Sequence, residues 1–137
     1  ANGSAWKTFV AMVAQQGGDI SYIEHPKKFP QAHITANYRA ETDGYITHMD
    51  TEGFGIAAGM LGAGRSKKDD CIDFSAGIVL HHKTNSLVKR GDVLATLHTA
   101  NETLASAALQ RLGYCYTICP EPAEPFALIG DFVEGPY

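Results

Sequence analysis

No apolar run in the chain approaches the roughly 18–20 consecutive residues that cross a bilayer, so no membrane span is expected. The N-terminus lacks the basic-then-apolar pattern of a secretory signal, and a cytoplasmic location is expected. Cationic excess is missing too: 11 Lys plus Arg stand against 15 Asp plus Glu, a net charge of −4. A nucleic-acid binder needs the opposite balance and a basic stripe, so that class is set aside. Cysteine is scarce. Cys71, Cys115 and Cys119 do not supply the paired ligands that close a tetrahedral zinc site, and they read as core or incidental thiols of a reducing compartment. No histidines fall at helical i, i+4 spacing, and the adjacent His81-His82 would point to opposite faces of a strand, so no metal and no other cofactor is expected.

Recognisable nucleophile motifs are absent as well: there is no Gly-x-Ser-x-Gly and no Ser-x-x-Lys. Gly62-Ala63-Gly64-Arg65 opens like a dinucleotide fingerprint, but it is expected after a helix and ahead of a loop, and the third glycine is wanting. Asp69-Asp70 puts two acids in a polar loop, where nothing separates their pKa values for acid–base work. By its own residues the chain offers no catalytic centre.

What is present specifies one folded domain. At 137 residues, with 45% apolar and 19% charged side chains, the chain can bury about two-thirds of its unfolded surface. Trp6, Phe9, Val10 and Val13 form one stripe of an amphipathic helix that Gly17-Gly18 ends, and this helix is expected to dock on the domain or on a second copy. A turn-rich connector follows from Asp19 to Pro30. Ala32–Arg39 and Gly44–Met49 read as a strand pair joined at Thr42-Asp43-Gly44. Asp50 caps a helix to about Leu61, with Phe54, Ala57, Ala58 and Leu61 inward, and its three glycines imply close packing on a sheet. Strands are expected at Ala76–His82 and Val93–Leu97, with Leu87–Asp92 as the turn between them. Asn101 caps a helix with Leu104, Ala108 and Leu112 inside, Gly113 stops it, and Tyr114–Ile118 is the last clear strand, with Phe126–Ile129 beyond the prolines. The class is α+β.

Val88-Lys89-Arg90-Gly91-Asp92-Val93-Leu94 resembles the basic-Gly-acid turn of biotinyl and lipoyl carrier domains, which makes a carrier or interaction module the alternative reading. A carrier, however, presents its lysine at a hairpin tip between small or Met residues, and Lys83 in His82-Lys83-Thr84 has no such frame. Ala5–Asp19, Gly44-Tyr45-Ile46, Met49–Glu52, Gly62–Arg65, Asp70, Ile72-Asp73, Gly77-Ile78 and the Val88–Leu94 turn together resemble, in order and spacing, the C-terminal domain of pyrimidine-nucleoside and thymidine phosphorylases. His81-His82, Asn85-Ser86 and the proline-rich tail depart from that pattern.

The resemblance implies an α/β hammerhead, a mixed sheet of the barrel-sandwich type with short helices behind an N-terminal helix. It implies that 1–31 ends a preceding catalytic part and that 32–137 is the C-terminal domain, so the chain is expected to be a piece of a longer protein. The parent would cleave pyrimidine nucleosides with phosphate, as a homodimer built through helices of its earlier parts, leaving this piece a monomer. The family's Lys-His-Ser-Thr-Gly-Gly phosphate segment is absent, so no catalytic residue is carried over. One loop remains a candidate. Gly62, Gly64, Arg65, Ser66, Lys67 and Lys68 match a segment that approaches the active-site cleft in the family and could close over substrate; equally, Arg65 could pair with Asp69, Asp70 or Asp73 and only hold the loop's shape.

Overall fold

The computed structural model describes residues 2–65, 67–125, 127, 129–130 and 135. Alternation sets the first sheet: in β1 (Ile34–Arg39) Ile34, Ala36 and Tyr38 are half-buried while Thr35, Asn37 and Arg39 are exposed, the period of a strand with one wet face. β1 pairs antiparallel with β5 (Val93–Thr99), whose other edge takes β3 (Gly77–Leu80). In the second sheet β2 (Gly44–Met49) lies between β4 (Leu87–Val88) and β6 (Tyr116–Cys119), again antiparallel. The α+β class with short helices is as expected. The strands form two open antiparallel sheets of three strands each.

β1 and β2 do not pair with each other, contrary to the expected strand pair. Beyond β1 the backbone stays tied to the turn ahead of β5: the Ala40 amide donates to the Asp92 carbonyl (2.9 Å) and the Gly91 amide to the Ala40 carbonyl (2.8 Å). Asp43 accepts from the Arg90 amide at 2.7 Å, so Thr42-Asp43-Gly44 carries the chain from one sheet to the other. Gly44 is required there. Its φ is +147°, and a Cβ would meet the Cys119 carbonyl oxygen at 2.5 Å. The expected Leu87–Asp92 turn is shorter, because its first two residues form β4.

Two cores result. Ala57, Leu61, Ala95, Leu97, Ala108, Leu112 and Cys115 fill the first, and Ala40, Ile46, Val88 and Leu94 the second. Tyr38 pairs with Ala95 but Arg39 with Val93, so Leu94 is an extra residue bulged out of the ladder and turned to the second core.

α3 (Thr51–Ala58) begins where Asp50 Oδ1 accepts the Gly53 amide at 3.0 Å, the expected cap. The α-helix stops at Ala58 rather than Leu61; Gly59–Ala63 widens into a π turn that still buries Leu61, and Thr99 Oγ1 donates to the Leu61 carbonyl at 2.9 Å. α4 (Glu102–Leu112) is capped by Asn101, which accepts from the Thr103 (2.8 Å) and Leu104 (3.4 Å) amides. That start puts Ala105, Ala108 and Leu112 inside, and Leu104, expected inward, is exposed.

α1 (Ser4–Gln15) ends at Gly17 (φ +79°), as expected, but buries none of its residues. Trp6, Phe9 and Met12 remain 53, 42 and 46% exposed, so the stripe does not dock on this domain. The connector contains a helical turn, α2 (Ser21–Glu24), because Asp19 accepts the Ser21 amide at 2.9 Å, and a 3-10 turn at Pro26–Lys28. The last strand starts two residues later than expected. Phe126 and Leu128 of the expected 126–129 strand lie outside the described residues.

The three glycines around α3 behave differently. A Cβ on Gly53 would strike the Asp50 carboxylate and lie 2.7 Å from Cys115 Sγ, whereas Gly55 and Gly59 face open space. Gly53→Ala should therefore lower unfolding stability by about 2 kcal/mol through overpacking and a displaced cap. Gly55→Ala should raise it by up to about 1 kcal/mol by propensity alone. Urea unfolding of the two variants reads both signs, and equal effects would refute the assignment.

Candidate functional site

The cationic loop grows out of the end of α3. The Gly59–Ala63 π turn breaks at Gly62, whose φ of +107° and ψ of 0° are accessible to glycine and redirect the chain away from the core. Gly64 is extended and packs against Gly59, where a Cβ would approach its Cα to 3.3 Å. Arg65, Lys67 and Lys68 follow, all exposed; Ser66 lies outside the described residues.

Hydrogen bonds close the base. The Asp73 amide donates to the Gly62 carbonyl at 2.9 Å, bringing the two ends of the loop together. Asp73 Oδ1 accepts from the Ser75 amide (2.9 Å) and hydroxyl (2.6 Å), and the Ala76 amide donates to the Asp73 carbonyl (3.1 Å). Nearer the tip, the Lys67 amide donates to Asp70 Oδ2 (2.8 Å) and the Asp70 amide to the Lys67 carbonyl (3.1 Å). Among the described residues Arg65 forms no ion pair with Asp69 or Asp73; the ion pair formed is Arg111 with Asp50, at 3.7 Å. Asp73 thus holds the loop's base and leaves the cations at its tip free of it. Sequence reasoning offers Asp73 as part of the family pattern and as a partner for Arg65, not as the holder of a turn with Ser75, although Asp-x-Ser is the short-range signal of such a turn.

Electrostatics separate this loop from the other reactive side chains. The Ser75 hydroxyl, then the Ser75 amide, hold the Asp73 carboxyl below its ordinary value. Cys115, which donates from Sγ to the Arg111 carbonyl at 3.3 Å, has its thiol pushed up by burial, the state of a core thiol rather than a nucleophile. Burial also raises Tyr116, to about 12, with Tyr38 stacked on it at 5.6 Å. His81 Nε2 lies 2.8 Å from Thr96 Oγ1, and no group of three metal-binding side chains forms among the described residues. Lys83 sits in the connection between β3 and β4, which belong to different sheets, not at a hairpin tip.

The architecture defines the class: an α+β domain of two open sheets that presents a cationic loop from the end of its first capped helix. Its membership is narrower. The family model of the pyrimidine nucleoside phosphorylase C-terminal domain matches residues 45–119, and the chain belongs to that family. It is similar to the pyrimidine-nucleoside phosphorylases of Staphylococcus aureus strains USA300, NCTC 8325 and COL, with 36% identity over 124 residues in each case. Those alignments cover 90% of this chain and 28% of each relative, so the chain spans little more than a quarter of the length of the curated relatives it matches. No helix among the described residues is long and apolar enough to cross a membrane.

Removing the Ser75 hydroxyl tests the loop's base. In Ser75→Ala the Asp73 carboxyl should titrate closer to 3.8, followed by NMR from pH 2 to 6 at about 0.5-unit steps. A group with a lowered folded pKa stabilises above its unfolded pKa and loses that stabilisation as pH falls through its folded value. Amide protection in the loop, measured relative to the intrinsic exchange rate at each pH, should therefore fall first on the acid side, and at higher pH in the variant; an unmoved Asp73 titration would place the base elsewhere.

Proposed function

We propose that the chain is the C-terminal domain of an enzyme that cleaves a pyrimidine nucleoside with phosphate, releasing the free base and a pentose 1-phosphate. The observation that carries this reading is the 36% identity, over nine-tenths of the chain, to proteins named pyrimidine-nucleoside phosphorylase. In this reading 1–31 closes the preceding catalytic part, 32–137 is the C-terminal domain, and the rest of the parent supplies the phosphate and base sites. The parent works in cytoplasmic pyrimidine salvage as a homodimer. The isolated chain is a catalytically silent monomer, needing neither metal nor cofactor.

The domain contributes a scaffold and a closure loop. Phosphorolysis transfers the pentosyl group to a phosphate oxygen while positive charge develops on the sugar, and water competes as the nucleophile. A loop that covers the site excludes that water and can add cationic contacts to phosphate. The Arg65 guanidinium suits a phosphate because its planar fork donates two parallel hydrogen bonds, and Lys67 and Lys68 add point charges. Gly62 and Gly64 supply a hinge, and the Gly62–Asp73 bond supplies the fixed base against which the tip swings.

Arg65→Ala in the full-length parent should worsen kcat or KM for phosphorolysis at least tenfold, about 1.4 kcal/mol, with the melting temperature unchanged. Unchanged kinetics with a lowered melting temperature would make the loop structural. The isolated chain should release no uracil or thymine above the no-enzyme background, and should sediment as a monomer; base release abolished by a mutation within the chain would overturn its silence.

A further inference from the structure

A cavity of about 480 Å³ lies at the opposite end of α3 from the cationic loop, lined by Met49, Thr51, Phe54, Leu80, Lys83 and Thr84. Its size falls within the range of small-molecule sites, and its make-up is theirs: apolar walls with a few convergent polar groups. Met49, Phe54 and Leu80 form the walls. Phe54 meets Tyr116 edge-on at 5.0 Å, and Tyr116 stacks on Tyr38, so the aromatic wall is braced from behind. The polar contribution is one-sided: among the described residues two hydroxyls and one ammonium line the cavity, and no carboxylate does. In a chain of net charge −4, this is a pocket with its polarity reversed.

The lysine is mounted on a pinned turn. The Lys83 amide donates to Ser86 Oγ (3.1 Å) and the Ser86 amide to the Lys83 carbonyl (3.0 Å). Asn85 adopts φ +67°, donates its amide to the Ile46 carbonyl in β2 at 2.7 Å, and accepts from the Ala123 amide at 2.8 Å through its side chain. Among the described residues Lys83 has no ion-pair partner. An apolar slot with a fixed backbone beside an unpaired ammonium matches one ligand chemistry, a ring-bearing organic anion, whose ring fills the slot while its charged group meets Lys83.

We propose that this cavity binds such an anion, an aromatic carboxylate or phosphate ester, at a site separate from the Gly62–Asp73 loop. The test uses the 137-residue chain with 13C-labelled methionine methyls, where Met49 reports the cavity and Met12 and Met60 serve as controls. Naphthoate and naphthyl phosphate should each shift the Met49 methyl saturably by about 1 mM, and whichever binds tighter identifies the carboxylate or the phosphate as the preferred head group. Inorganic phosphate, which has no ring, and naphthol, which has no charge at neutral pH, should bind at least tenfold more weakly. Lys83→Met, which keeps the apolar stem, should weaken both anions about tenfold without altering the melting temperature, and Lys83→Arg should retain binding. The proposal is overturned by an unmoved Met49, by equal affinity of Lys83→Met, by naphthol matching naphthoate, or by a shift confined to Met12 on the exposed α1 stripe.

Discussion

Leu94 and Ala95 are consecutive, both are fully buried, and they belong to different cores. A regular strand in a one-sided sheet would send one of them to solvent. The bulge opposite Tyr38 and Arg39 removes that conflict by rotating Leu94 out of the ladder, and burying a leucine there is worth about 2 kcal/mol. β5 thereby becomes the seam of the molecule. It pairs with β1 and β3 on its two edges, seals the π turn through Thr99, and accepts the His81 amide at the Leu94 carbonyl. Across the seam the stacked Tyr38–Tyr116 pair, with Phe54 against its edge, ties the sheets together where no strand connects them.

What could be read from the sequence is whatever is encoded within a few residues. Asp50 and Asn101 cap their helices because a short carboxylate or amide reaches amides two or three residues ahead, and the strand segments show in local alternation. Strand partnership does not show. Asp43-Gly44 has the chemistry of a turn, but reversal and crossing to another sheet use the same residues, and the choice is made by Arg90 and Asp92, far along the chain. The glycines of α3 mislead in a similar way. They suggest packing against a sheet, while Gly53 makes room for the Asp50 carboxylate and the Cys115 thiol, and at its two companions an added Cβ would meet nothing. The α1 stripe is real amphipathicity without a partner among the described residues, for periodicity predicts a face and not what covers it.

The candidate loop was visible as a cluster of glycines and cations, but its geometry was not. The bond from Asp73 to the Gly62 carbonyl spans the loop, and composition gives no sign of it. The closing device is that an acid expected to neutralise Arg65 is instead engaged by Ser75. Sequence proximity of opposite charges favours the ion-pair reading; a serine two residues on wins because a short hydroxyl and amide contact costs less side-chain entropy than fixing a long guanidinium.

That distribution also decides whether an acidic chain can present an attractive surface to a phosphate. Beyond about 8 Å at physiological ionic strength, exposed charges are largely screened, so the net charge of −4 matters less at the loop than the acids beside it. Of these, Asp73 faces Ser75 at the base, and Asp70 accepts the Lys67 amide in the loop's own turn. Asp73 spends acceptor capacity on the Ser75 amide and hydroxyl rather than on the guanidinium of Arg65. At the tip the charges of Arg65, Lys67 and Lys68 stand against those of Asp69 and Asp70, since a carboxylate hydrogen-bonded to neutral donors keeps its charge. The base of the loop is thus fixed by the short-range contacts of Asp73, while its charged tip stays outside them, an arrangement that charge counts along the sequence do not reveal.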